Sequence, residues 1–323
     1  MEQEKRRPWR RWVVLVLMIV GWVVGSSIIP IQPEISVKAE NLVGEGATWF
    51  GFLPAVNTIP SLIFTVLLVI VLAYFTGTSL KKSAQSDLVP KGIGNMMEAF
   101  FELLYDLTES STGAKWAKTV FPWFATIMFY VLFANLLKLI PGFESIGIIH
   151  HAHGEGHAIA PLFGNFMALQ PGEGEFMLVP FLRGVSIDLN FTFAIALISV
   201  FMTQVIGIQA QGLGYFSKFF NVRTMFKVPF FGAMDFLVGL LELISELSKI
   251  ISFAFRLFGN MFAGMVLVAI VAGLLGKVSI LSSMIMLFEL FVGIIQAFVF
   301  GMLTMVFMAQ ATQGHGEEHV EAH

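Results

Sequence analysis

The sequence contains no cysteine, which leaves neither disulfides nor thiolate ligands for a metal. Charge is scarce too. Asp, Glu, Lys and Arg together make up 13% of the 323 residues, about half the share of a soluble domain. A surface facing water on all sides is excluded by that shortage. Net charge is only −3, so there is no electrostatic footprint for nucleic acid. No P-loop, no Ser–His–Asp set and no convincing dinucleotide glycine pattern is present. The chain is therefore not expected to bind or hydrolyse ATP by itself, and no cofactor is expected.

What the sequence has in quantity is apolar length. Hydrophobic residues account for 56% of the chain, and apolar segments fall at about 13–30, 59–78, 119–141, 186–208, 230–276 and 278–312. Each is long enough to cross a hydrocarbon layer of about 30 Å. Lipid tolerates only helices or closed barrels, and unbroken runs rather than ten-residue alternation select helices. The expected fold is an all-α polytopic membrane protein with five to six membrane helices.

Basic residues orient those spans. Lys5, Arg6, Arg7, Arg10 and Arg11 place the N-terminus in the cytoplasm; Lys81, Lys82, Lys91, Lys115 and Lys118 mark a second cytoplasmic side, and Lys218, Arg223 and Lys227 a third. The outer side carries Lys38, Arg183 and Lys277. The first segment reads as a retained anchor, with a signal sequence as the alternative. Residues 95–118 put Met97, Phe100, Phe101, Leu104 and Leu107 at helical spacing beside Glu98, Glu102 and Asp106. That pattern fits an amphipathic helix on the cytoplasmic face or an ordinary linker helix.

The last two segments are too long to stand upright. No proline interrupts residues 230–276, and at about 1.5 Å per residue a continuous helix there would reach roughly 70 Å. Residues 278–312 would reach about 50 Å on the same rule. They are expected to tilt or break, forming a slanted hairpin that presents a curved wall to a round partner.

Two charges stand alone in these runs. Arg256 is the only charge between Lys249 and Lys277, and Glu289 the only one between Lys277 and Glu317. A guanidinium cannot shed its proton, and at mid-bilayer it costs about 3 kcal/mol on insertion scales, so it needs a partner. Helical spacing puts Glu242, Glu246, Lys249, Phe253, Arg256 and Asn260 on one stripe, beside a second of Ser245, Ser248, Ser252, Gly259 and Ala263. Small residues let another helix come close. Gln296 follows Glu289 by two turns on the same side, with Gln310 near that line. A lone carboxylate in such surroundings is poised to gain and lose a proton, as a relay requires. The plain structural alternative is an Arg256–Glu289 ion pair that pins the hairpin. For Asn260 and Gln296, interhelical hydrogen bonding competes with ion handling.

At these residues the chain resembles a known family. ELISELSKIISFAFRLFGNMFAG and FELFVGIIQAFVFGMLTMVFMAQA, with FANLLKLIPG at 133–142 and GVSIDLNFTFAIAL at 184–197, look like subunit a of the F-type ATP synthase membrane sector. The resemblance covers about 59–312, leaving 1–58 as an N-terminal anchor and extracytoplasmic segment and 313–323 as a His- and Glu-rich tail. It implies a stator subunit whose two half-channels carry protons to and from a ring of c subunits. The implied partners are that c-ring, the b-subunit peripheral stalk and the rest of the complex, in a bacterial inner or plasma membrane. By motif match Arg256 is the essential arginine, and Asn260 and Gln296 are its polar neighbours. Ser252 and Glu242 match the cytoplasmic half-channel, and Asp188 and Asn190 the outer start of the fourth span.

Glu289 stands where many bacterial members carry histidine. Those members have a glutamate nine residues after the arginine, where this chain has Met265, so Glu289 is expected to carry outer-channel proton uptake alone. Lys138 is unusual where the family more often has a small or acidic residue, and the sequence assigns it no role. His150, His151, His153 and His157 fit a polar loop or a proton buffer at the outer mouth; His315, His319 and His323 fit a solvated tail better than a metal site. The competing functional classes are a self-contained secondary transporter, for which no paired repeat is visible, and a structural anchor, which leaves both buried charges unexplained.

Overall fold

A computed structural model describes residues 39–43, 46–49, 51, 53–86, 93–140, 143–163, 166–219, 229–275 and 280–313, together with Trp12, Val13 and Val16. All of the first expected span except Val13 and Val16, the tail histidines, Lys91, Arg223, Lys227 and Lys277 lie outside these residues. Two short strands, β1 (Thr48–Trp49) and β2 (Leu53–Pro54), precede helix α1 (Thr58–Ser86). Helices α2 (Ile93–Thr112) and α3 (Ala114–Leu137) follow, then strands β3 (Gly147–Phe163) and β4 (Phe166–Pro180). The chain closes with α4 (Leu189–Gln211), α5 (Pro229–Leu275) and α6 (Ile280–Thr312).

Five of these helices are long and apolar enough to cross a membrane: α1, α3, α4, α5 and α6. α5 runs unbroken for 47 residues and α6 for 33, so the break allowed for on account of their length does not occur in either. The two pack against each other, and α3 and α4 pack behind them. A core of Val131, Phe191, Ile195, Phe253, Leu257, Met261, Ala297 and Phe300 joins all four.

The amphipathic segment is shorter than its pattern. α2 ends at Thr112, and Gly113, at φ 75°, turns the chain into α3; a Cβ is disfavoured at that angle. Lys115 and Lys118 therefore belong to the following span. Leu104 is fully buried, with Met97, Phe101 and Leu107 partly packed around it against α3 and α6. Glu98, Glu102 and Asp106 are exposed. Most of the apolar stripe of α2 is covered by this chain's own helices, while Phe100 stays exposed.

The expected polar loop around His150 is a β-hairpin. β3 and β4 pair antiparallel from Gly147 opposite Pro180 to Phe163 opposite Phe166, with register shifts around His157. Isoleucine, valine and phenylalanine near its base favour extended backbone, a signal that the histidines and glycines obscure. His150 reaches the Leu42 carbonyl through Nε2 at 3.2 Å. This hairpin marks one end of the bundle, called the strand end below.

Candidate functional site: two polar clusters flanking Arg256

At the strand end, Asp188 caps α4. It is 5% exposed; its Oδ1 accepts the Asn190 backbone N–H at 2.9 Å and its Oδ2 accepts the Thr58 hydroxyl at 2.9 Å. An Asp at this position satisfies an amide that the helix start leaves bare. Asn190, the second residue of α4, is exposed. Ser61 on α1 accepts the Arg183 backbone N–H at 2.7 Å, so α1 and the start of α4 are tied together.

Glu289 lies at this same end, on α6, 8% exposed. Its partner is Lys138, at 3.5 Å from Oε2. That finding overturns the Arg256–Glu289 pairing entertained from the sequence. Lys138 also donates to the Met261 carbonyl of α5 at 3.2 Å. One turn back on α3, Asn135 is fully buried and donates to the Gly293 carbonyl of α6 at 3.0 Å. Asn135 and Lys138, three residues apart on one face, thus grip α6 from behind. The other carboxylate oxygen, Oε1, has no hydrogen-bond partner. It faces Gly264 of α5 so closely that a Cβ there would collide with it. A cleft of about 290 Å³ lies beside it, bordered by Asn260, Gly264, Phe288 and Glu289.

Arg256 sits further along α5. Eight residues separate it from Gly264, about 12 Å along the axis. Its guanidinium lies over the Phe253 ring at 5.9 Å. Among the described residues no carboxylate forms an ion pair with it. Asn260 is exposed one turn on, and Gln296 is half-buried on α6.

A second polar cluster occupies the opposite end, about ten residues or 15 Å from Arg256 along α5. Glu246, 6% exposed, is its centre. Its Oε1 accepts from Lys218 at 3.0 Å and Lys249 at 2.9 Å, and its Oε2 accepts from Gln204 at 3.0 Å. Gln204 in turn accepts the Tyr215 hydroxyl at 2.8 Å. Glu242 joins through Lys218, at 2.8 Å. Each buried charge is matched by an opposite one, which is what a low-dielectric site demands. Ser252, by contrast, is exposed, as are Ser245 and Ser248.

The chain's sequence now has a context. The sequence profile described as ATP synthase A chain matches residues 61–309, which spans α1 to α6. The chain belongs to the ATP synthase A chain family. A protein named ATP synthase subunit a from Mycobacterium bovis is 29% identical over 290 residues, covering 88% of this chain and 99% of the relative. One of the same name from Mycobacterium tuberculosis gives the same figures. Another from Helicobacter pylori is 30% identical over 255 residues, covering 78% of this chain and 91% of the relative. As a member of the A chain family, with five apolar helices, this is a multi-pass bacterial membrane protein. It is a component of ATP synthase, in the proton-translocating membrane sector.

Within that family frame, the structure gathers Glu289 and Asn260 at one cleft. Asp188 and Asn190 are at the same end but engaged in the start of α4, and Glu242 and Ser252 lie towards the other end. Reading the sequence alone missed Asn135, Gln204 and Tyr215 altogether and left Lys138 without a role. The one available signal was the three-residue spacing of Asn135 and Lys138, which puts both on one helix face.

Proposed function

We propose that this chain is the stator ion-channel subunit of a rotary ATP synthase. Residues 59–312 form its working domain, with two half-channels that meet near Arg256 and serve the carboxylates of a c-subunit ring. The b-subunit stalk holds the chain still while the ring turns in a bacterial inner or plasma membrane. One observation carries this reading: a half-buried guanidinium that no acid of the described chain neutralises, set between two polar clusters at opposite ends of one helix. A charge at that depth needs a counter-ion. An acid on another subunit supplies it.

The surface beside Arg256 suits such an approach. Ser248, Ser252 and Ala263 are exposed, and open space lies over Gly259, so a second helix can come close. A carboxylic acid carried up to the guanidinium is driven to release its proton to water, and the carboxylate left behind pairs with the arginine. The fixed positive charge also bars protons from crossing directly between the two inlets. Each charge moved through 100 mV contributes about 2.3 kcal/mol, which rotation delivers to the catalytic head.

The remaining residues divide by position. Glu289 takes up protons on the outer side, Asn260 and Gln296 line the approach to Arg256, and Glu242 and Ser252 serve the cytoplasmic inlet. Asp188 and Asn190 shape the outer mouth, Asp188 as the cap of α4. Arg256→Gln in the complete complex tests the reading. Proton-driven ATP synthesis should be lost while the complex assembles at its normal level; synthesis at the wild-type rate would refute it. Autonomous substrate uptake by the chain reconstituted alone would instead favour a secondary transporter.

A further inference from the structure

Lys138 is the only cation paired with Glu289 among the described residues. We infer that Lys138 is a positioning residue for Glu289. It anchors one carboxylate oxygen and fixes the other against Gly264 at the edge of the cleft, where the proton is taken up. This rests on the reading of Glu289 as the outer-side proton carrier.

Three observations carry the inference. The lysine and carboxylate side chains are 5% and 10% exposed, so their attraction is little screened by water. The ammonium is itself fixed, because it donates to the Met261 carbonyl at 3.2 Å. The two oxygens are unequal: Oε2 faces the ammonium, whereas Oε1 is buried, unpartnered and turned towards Gly264 beside the cleft. A carboxylate held by one edge presents the other edge in a single orientation. Uptake converts hydronium and carboxylate to water and a carboxyl. Release to a second water restores hydronium and carboxylate, and the waiting ammonium favours that return.

Other charges near the pair are already engaged. Glu144 is within electrostatic reach of Lys138, but its Oε1 accepts the Gly184 N–H at 2.9 Å. Asp188 of α4 is bound by Thr58 of α1. Tyr130 of α3 packs its ring on Phe191. On α5, Arg256 lies about 12 Å further along the helix axis than Gly264. On α6, Glu289 is the only charge.

The test uses the complete complex in membrane vesicles, with ATP synthesis driven by an imposed proton gradient and the outer-side pH varied. Lys138→Arg keeps the charge and should keep the rate within about two-fold and the pH profile unmoved. Lys138→Gln should lower synthesis about ten-fold at neutral outer pH and displace the profile by about one unit to the alkaline side. Wild-type behaviour of Lys138→Gln overturns the inference. So do equal losses in both variants with an unmoved profile, which would mark a packing role. If Lys138→Gln does not assemble, Lys138→His carries the test: synthesis must fall as outer pH rises past about 6.5, and a flat dependence overturns the inference. Glu289→Gln separates the two levels. Full synthesis in that variant removes Glu289 as the carrier; lost synthesis beside a wild-type Lys138→Gln removes only the positioning role.

Discussion

Replacing Gly264 with alanine is the smallest change that should disable this subunit without unfolding it. The new methyl would collide with Glu289 Oε1, so the carboxylate must withdraw by at least about 1 Å to reach ordinary contact. Its end of the side chain is flexible, so the clash itself costs little stability, at the low end of the roughly 1–3 kcal/mol of an overpacked site. The consequence falls on the ion pair. Lys138 Nζ is tied to the Met261 carbonyl, on the same helix as Gly264, so a carboxylate pushed off α5 is pushed away from the ammonium. Stretching the 3.5 Å separation to about 5 Å at an effective dielectric near 20 lowers the attraction from about 4.7 to about 3.3 kcal/mol. The difference corresponds to about a ten-fold change in equilibrium. Gly264→Ala complexes should therefore assemble normally and synthesise ATP about ten-fold more slowly. The assay is gradient-driven synthesis in vesicles, with complex content measured by immunoblot. A wild-type rate would show that the carboxylate does not need its present place, and the reasoning from Gly264 would fail.

Two more outcomes follow from the same geometry. Glu289→Leu should nearly abolish gradient-driven synthesis, whereas Met265→Leu, in a half-buried apolar setting, should leave it nearly unchanged; a strong Met265→Leu defect would show that the position still carries part of the path. At the far end, burial pulls the Lys218 ammonium down, but hydrogen bonds to Glu242 and Glu246 outweigh it and hold it above the usual lysine value of 10.5. Its stabilising contribution is thus complete below that value and lost only as pH rises through the higher folded one. Thermal stability from this network should be flat between about pH 6 and 9, and Lys218→Met should lower it by about 2 kcal/mol, read as the aggregation midpoint of the purified complex. A wild-type midpoint for Lys218→Met would mean that Lys249 alone suffices for Glu246.

Particular residues show where reading the sequence reached and where it stopped. The 47-residue course of α5 was legible because no proline breaks it, and the isolation of Arg256 because charges are so few. The helical stripe carrying Glu246 was legible too. Its partners other than Lys249 were not, since Lys218 and Gln204 arrive from α4 and the turn after it. The β-hairpin was hidden by its own composition: glycines and histidines read as loop, and pairing between strands compensates for weak local preference. Asp188 was legible as a polar residue at the start of a span, but not that its oxygens accept an amide and a hydroxyl.

By itself the sequence determined the spans, their length and the two buried charges of opposite sign, because hydrophobic run length and a 3.6-residue period are local properties of a chain. Only the tertiary structure decided which charge meets which. Arg256 and Glu289 look like natural partners on paper, but α3 brings Lys138 to Glu289 and the 12 Å or so between Arg256 and Gly264 along α5 leaves the guanidinium open. Coulomb attraction depends on separation in space, and helix packing alone sets that separation.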